Sequence, residues 1–233
     1  MNIIPLMIQA LKDKADRIYQ KSVQCFFLEP IDCYGVRKDI VKDIAKKYFA
    51  MIKHEPKAVI FEQCKELLSL GKQETFVIAC VWALALKKQF EPSDFAIFNS
   101  SLDAYVTNWA SCDDLCGGPL GILLKQYPEL IAKTNLWVQS KNRWKRRASA
   151  VVLIYSGQTP DQLPIILKRC EQLLQDEDVM VQKGYGWLLK KTSARYQQEV
   201  FDFVMTHKKM MPRLALRYAI EKMPTPLKKR AMD

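Results

Sequence analysis

Apolar residues recur three and four positions apart along almost all of the 233-residue chain, the spacing that lines one face of an α-helix. Alternation of β-branched residues is nearly absent and there are only 8 glycines, so helix is the expected state throughout. The pattern predicts helices over Ile3 to Asp13, Ala15 to Phe26, Arg37 to Ile52, Ala58 to Leu70, Glu74 to Gln89, Ser93 to Val106, Ala110 to Leu115 and Leu120 to Lys125. It continues with Pro128 to Gln139, Arg143 to Tyr155, Pro160 to Leu174, Val179 to Lys191, Tyr196 to His207 and Arg213 to Lys222. Pro56, Pro92, Pro128 and Pro160 fall near helix starts, and Asp94, Ser140 and Asn142 near junctions as candidate caps. The longest apolar run, Phe76 to Leu86, is far shorter than the roughly 20 residues that span a bilayer, and is expected to be a buried helix.

Helices of this length joined by short turns, with no strand run, form either a bundle or a solenoid. Spacing favours the solenoid: helix pairs beginning near Ser93, Pro128, Pro160 and Tyr196 advance by 32 to 36 residues, the size class of helical repeats. No stretch rich in Gly, Ser or Pro separates them. The expectation is therefore an all-α, right-handed stack of helical repeats forming one domain over residues 1–233. The tail after Pro224, with Lys228, Lys229 and Arg230, is expected to be short, basic and frayed.

Charge changes the picture by its distribution. Residues 136–233 carry 19 Lys and Arg against 9 Asp and Glu, whereas residues 1–135 carry 17 against 16. A localised basic field attracts polyanions, nucleic acid first and an anionic membrane surface second. Arg147, Lys183 and Arg217 are separated by 36 and 34 residues, so one cation returns per hairpin and makes a stripe suited to a phosphate backbone on a concave face. Arg146, on the same helix as Arg147 but pointing elsewhere, is expected to add a further phosphate-binding cation.

The seven cysteines are an odd, scattered set, which fits reduced thiols in a cytoplasmic protein better than a disulfide frame. The apolar start, Met1 to Ala10, has neither a basic leader nor a cleavage site, and no signal peptide is expected. Cys112 and Cys116 lack a second ligand pair, so no metal or cofactor is expected. Gly-rich phosphate loops, a His-Glu metal helix and a Gly-x-Ser-x-Gly elbow are all missing, and two histidines leave little scope for a nucleophile and base pair. Chemistry, if present, falls to carboxylates, cations and indoles.

Trp109 and Asp113, four apart, share a helix face. Arg147 follows Asp113 by 34 residues and Trp187 follows Arg147 by 40; in a stack of hairpins these four would meet on one concave surface. Each also has a plainer reading: the tryptophans as core anchors, Asp113 as a cap or solvated charge with Asp114 its rival, and Arg147 as the partner of a carboxylate.

Asn108-Trp109-x-x-Cys112-Asp113, Asn142-Arg143-Trp144-Lys145-Arg146-Arg147-Ala148 and Val181-Gln182-Lys183-Gly184-Tyr185-Gly186-Trp187 appear in that order. Tyr34-Gly35-Val36-Arg37 precedes them and Arg213-x-x-x-Arg217-Tyr218-Ala219-Ile220 follows. In these residues the chain resembles the AlkD-like DNA alkylation repair family, the HEAT-like-repeat alkylpurine DNA glycosylases. The resemblance implies a right-handed solenoid of HEAT-like repeats with a concave basic DNA-binding face. It also implies a monomer acting on double-stranded DNA with alkylated bases, without membrane association and without flipping the base. By position, Asp113 would be the catalytic carboxylate, Trp109 and Trp187 the indoles framing the deoxyribose, and Arg147 the phosphate-binding arginine. A non-catalytic DNA-binding paralogue that recognises distorted or branched DNA is the alternative. Asp114 departs from the common pattern by setting a second negative charge beside Asp113; adjacent helical residues diverge by about 100°, so it is expected to face away.

Overall fold

The computed structural model describes residues 3–233, and every regular element among them is helical. Among the described residues there are fourteen α-helices. The first eight are α1 (Ile4–Lys12), α2 (Arg17–Gln24), α3 (Lys38–Ile52), α4 (Lys57–Ser69), α5 (Gln73–Ala85), α6 (Asp94–Tyr105), α7 (Trp109–Gly117) and α8 (Pro119–Gln126). The others are α9 (Arg143–Tyr155), α10 (Leu163–Gln172), α11 (Val179–Thr192), α12 (Gln197–His207), α13 (Arg213–Ile220) and α14 (Thr225–Met232). Among the described residues, no helix is long and apolar enough to cross a membrane.

The chain forms two compact units, one running to Pro119 and the other covering Leu120–Asp233. In the first, α1 packs on α3, α3 on α5 and α5 on α7, while α4 packs on both α5 and α6. In the second, α9 packs on α11 and α11 on α13, with α10, α12 and α14 against their neighbours. Alternate helices thus stack in rows within each unit, as repeated helical hairpins require.

Helix α5 is the core of the first unit. The apolar run predicted to be buried is so: Phe76, Val77, Ile78, Ala79, Cys80, Trp82 and Ala83 are all inside, because α3 and α4 both cover it. Trp82 is fully buried and donates its indole N–H to the Ala45 carbonyl at 2.8 Å, which satisfies the one polar atom such a side chain brings inside. Helix α11 has the same central place in the second unit. A Cβ on Gly184 would lie 3.2 Å from Arg147 Cγ on α9, and one on Gly186 would lie 2.8 Å from Tyr218 Cβ and 2.9 Å from the Ala215 carbonyl on α13. Two glycines cost a helix roughly 1 kcal/mol each in propensity. Here they let α11 approach a neighbour on each side.

Two expectations are corrected. The stretch Pro128–Gln139 winds as 3-10 rather than α-helix. Runs of 3-10 helix beyond three or four residues are uncommon, and this one is pinned by Arg169 of α10. That buried guanidinium donates to Thr134 Oγ1 at 3.2 Å, Asn135 Oδ1 at 2.6 Å and the Ser149 carbonyl at 2.6 Å. The tail after Pro224 is not frayed: it is α14, started by Pro226 in its first turn and with Ala231 buried. Lys208 donates to the Arg230 carbonyl, Arg213 donates to the Met232 carbonyl, and the Arg230 guanidinium lies 5.1 Å from the centre of the Phe201 ring. Lost helix-end carbonyls and one cation–π contact therefore hold a segment whose sequence reads only as charge.

Candidate active site

Helix α7 begins one residue before the predicted boundary because Asn108 caps it. The Asn108 side chain accepts from the Ser111 N–H at 2.9 Å and the Asn108 N–H donates back to Ser111 Oγ at 3.3 Å, a reciprocal capping box. Ser111, Cys112, Leu115 and Cys116 fill the buried face. Trp109 and Asp113 are left half-buried on the other side, one turn apart as their spacing predicted. Both line a cavity of about 280 Å³ whose remaining walls are mostly apolar, among them Phe26, Phe27, Ile31, Val36 and Val77.

The indole is fixed in two ways. Trp109 Nε1–H donates to the Phe26 carbonyl at 3.1 Å, and its ring stacks on Phe27 at 5.2 Å between centroids with an 18° interplanar angle. The loop after α2 thereby locks the tryptophan, and nothing in the sequence motif signals it. Asp114, the rival carboxylate, was expected to face away but lines the same cavity, where its Oδ1 is 2.5 Å from the Lys38 ammonium.

Sequence reasoning also missed the polar hub beneath this site, the first turn of α5. The buried Glu74 carboxylate accepts the N–H groups of Tyr34, Gly35 and Val36 at 3.0, 2.8 and 3.0 Å. Gly35 has φ +87°, and a Cβ there would sit 2.6 Å from the Asp16 carbonyl, so this landmark glycine is required by both conformation and space. Gln73 Oε1 accepts from Asn108 Nδ2 at 3.0 Å, and Lys72 pairs with Asp32 at 2.5 Å. One helix start thus ties the approach to α3 to the cap of α7. The available signal was a lone glutamate opening an otherwise apolar helix.

The cations of the second unit are arranged differently. Asn142 caps α9 by accepting from the Trp144 N–H, and Asp178 caps α11 by accepting from Met180 and Val181. Arg147 is 5% exposed and donates to the Met180 carbonyl at 2.6 Å. Arg146 pairs with Asp176 at 2.6 Å, which raises its pKa above the ordinary guanidinium value, and it also donates to the Ser140 carbonyl. Arg143 pairs with Asp178 at 2.7 Å. Lys183 on α11 is half-buried and Arg217 on α13 is exposed. Trp187 is half-buried and meets Tyr155 edge-on, centroids 6.1 Å apart; Trp144, by contrast, belongs to the core. Trp109 and Asp113 are therefore brought together within the first unit, while Arg147, Lys183 and Trp187 lie on neighbouring helices of the second.

Residues 7–223 match the family described as DNA alkylation repair enzyme. Among solved structures, one described as "Predicted DNA alkylation repair enzyme from Enterococcus faecalis" superposes with a TM-score of 0.80. It covers 91% of this chain and 98% of its own, at 16% sequence identity, a likeness of fold. No curated protein sequence matches the chain.

Proposed function

The chain belongs to the DNA alkylation repair enzyme family, and on that premise we propose that it is a DNA glycosylase for cationic N3- and N7-alkylated purines in duplex DNA, acting without drawing the base into a pocket. The observation that carries this reading is the pairing of a fixed indole, Trp109, with the Asp113 carboxylate on the less buried side of α7.

The chemistry suits the residues. An alkylated purine carries a formal positive charge, so when water adds to the sugar carbon and the N-glycosidic bond breaks, the bonding pair returns to the ring nitrogen and the base leaves neutral. No general acid is needed, unlike in a two-carboxylate glycosidase that must protonate a poor leaving group. Asp113 stabilises the oxocarbenium character growing on the deoxyribose and takes the proton of the attacking water. Trp109 and Trp187 each add about 0.5 to 2 kcal/mol of cation–π stabilisation. Arg147, rigidly held, supplies a fixed positive charge toward the phosphates, and Lys183 and Arg217 extend it along the stacked row α9, α11 and α13. Arg146 contributes by holding the loop before α11 through Asp176. An unalkylated purine, whose bond is not weakened by charge, is spared without any pocket that reads it.

Product analysis tests this. Duplex DNA treated with a methylating agent should yield free 7-methylguanine and 3-methyladenine together with abasic sites. Unaltered lesions on DNA that the protein nonetheless binds would favour the non-catalytic reading, recognition of distorted or branched DNA. Restoration of the unmodified base in place would make it a repair enzyme of another chemical class.

A further inference from the structure

Lys38 opens α3 and Asp114 lies on α7, 76 residues later, yet the Lys38 ammonium is 2.5 Å from Asp114 Oδ1. Both line the cavity that Trp109 and Asp113 also line. The Lys38 side chain is 53% exposed and that of Asp114 18%, and Asp114 Oδ2 is buried with no hydrogen-bond partner. A half-exposed ion pair of this kind adds little to stability, and a carboxylate with one oxygen left unsatisfied is a poor structural element. Its electrical effect is larger. Asp114 adjoins the proposed catalytic carboxylate in a site meant for a polyanion, where an uncompensated second negative charge would repel phosphates over several ångströms.

We infer that Lys38 is a positioning residue for duplex binding by the glycosylase proposed above: it holds Asp114 as a neutral pair, so that two adjacent carboxylates present the DNA with the charge of one. The inference rests on that reading and makes a distinct demand on it. Lys38 acts through Asp114, not by touching phosphate itself.

A double-mutant cycle on the full-length protein separates these roles, read as the dissociation constant for an undamaged duplex at low salt and as the single-turnover excision rate at saturating protein. Lys38→Met should weaken duplex binding about five- to tenfold, because it exposes the Asp114 charge. Adding Asp114→Asn should restore binding to within about twofold of the parent, since removing the repulsive group removes the need for its counter-charge. Lys38→Arg should bind like the parent, and the saturated rate should stay within about threefold in all these variants, which separates an effect on binding from one on chemistry. Thermal unfolding of each variant checks that the fold is kept; a purely structural role for Lys38 would lower the unfolding midpoint and leave the salt dependence of binding unmoved, which overturns the inference. Equal weakening by Lys38→Met with Asp114 and with Asn at that position also overturns it and makes Lys38 a direct phosphate contact. In both cases the parent still binds and excises. A parent protein that neither binds duplex nor releases base removes the glycosylase reading and this inference together.

Discussion

Each unit fastens neighbouring helix starts with one buried ionic side chain, and the two carry opposite charge. In the first, Glu74 at the start of α5 accepts three backbone N–H groups from the segment leading into α3. In the second, Arg147 on α9 donates to the carbonyl of Met180 at the start of α11, flanked by the Arg143–Asp178 and Arg146–Asp176 pairs. The Glu74 charge is met by the dipoles of three backbone N–H groups. A buried arginine joins two helices by donating to a backbone carbonyl, the converse of a carboxylate accepting backbone N–H groups. Joining neighbouring helix starts is thus solved with a carboxylate in one unit and a guanidinium in the other.

The comparison is broken most strongly by Glu74→Ala. Three N–H groups would lose their acceptor, two of them buried, at about 1 to 3 kcal/mol for each buried orphan, so denaturant titration should show a loss of about 3 kcal/mol or more, confined to the unit that contains α5. Next comes Gly186→Ala. The new methyl would meet backbone and Cβ atoms of α13 at under 3 Å, and overpacking of that kind costs about 1 to 3 kcal/mol, whereas Gly184→Ala, whose tightest contact is the Arg147 side chain at 3.2 Å, should stay within about 1 kcal/mol in the same titration. Arg147→Met sharpens the electrostatic half. The logarithmic salt dependence of duplex binding should flatten by roughly one phosphate contact's worth, a slope change of about 0.9, while a substitution at Glu74 that still folds should leave that slope alone. The smallest effect is expected from Arg230→Ala, which removes the cation over Phe201 and should cost about 0.5 to 1 kcal/mol; an unchanged unfolding midpoint would argue that α14 is held by its backbone contacts alone.

Local periodicity made the helices legible, and the reason shows in α5 and α7. The eleven-residue apolar run reads as a buried helix, and the four-residue spacing puts Trp109 and Asp113 on one face of α7, whereas the Asn108–Ser111 capping box that sets where α7 starts was missed. The basic character of the second half was legible from counting charges. What escaped depends on partners far apart in the chain. Glu74 and the residues at 34–36 are about 40 positions apart, Lys38 and Asp114 are 76 apart, and nothing local marks either pair. The 3-10 winding of Pro128–Gln139 depends on Arg169 reaching it from α10, and the ordering of α14 depends on Phe201, Lys208 and Arg213. Asp114 was expected to turn away from the site; instead it lines the same cavity as Asp113, paired with Lys38.

The most direct measurement is the single-turnover excision rate of Asp113→Asn on duplex DNA carrying 7-methylguanine, at protein concentrations that saturate binding. If Asp113 stabilises the charge developing on the sugar, the rate should fall by about a hundredfold or more, in line with the loss of one preorganised electrostatic group, while the dissociation constant for the same duplex holds within about threefold. Release of 7-methylguanine at the parental rate by Asp113→Asn would contradict the assignment of catalysis to that carboxylate.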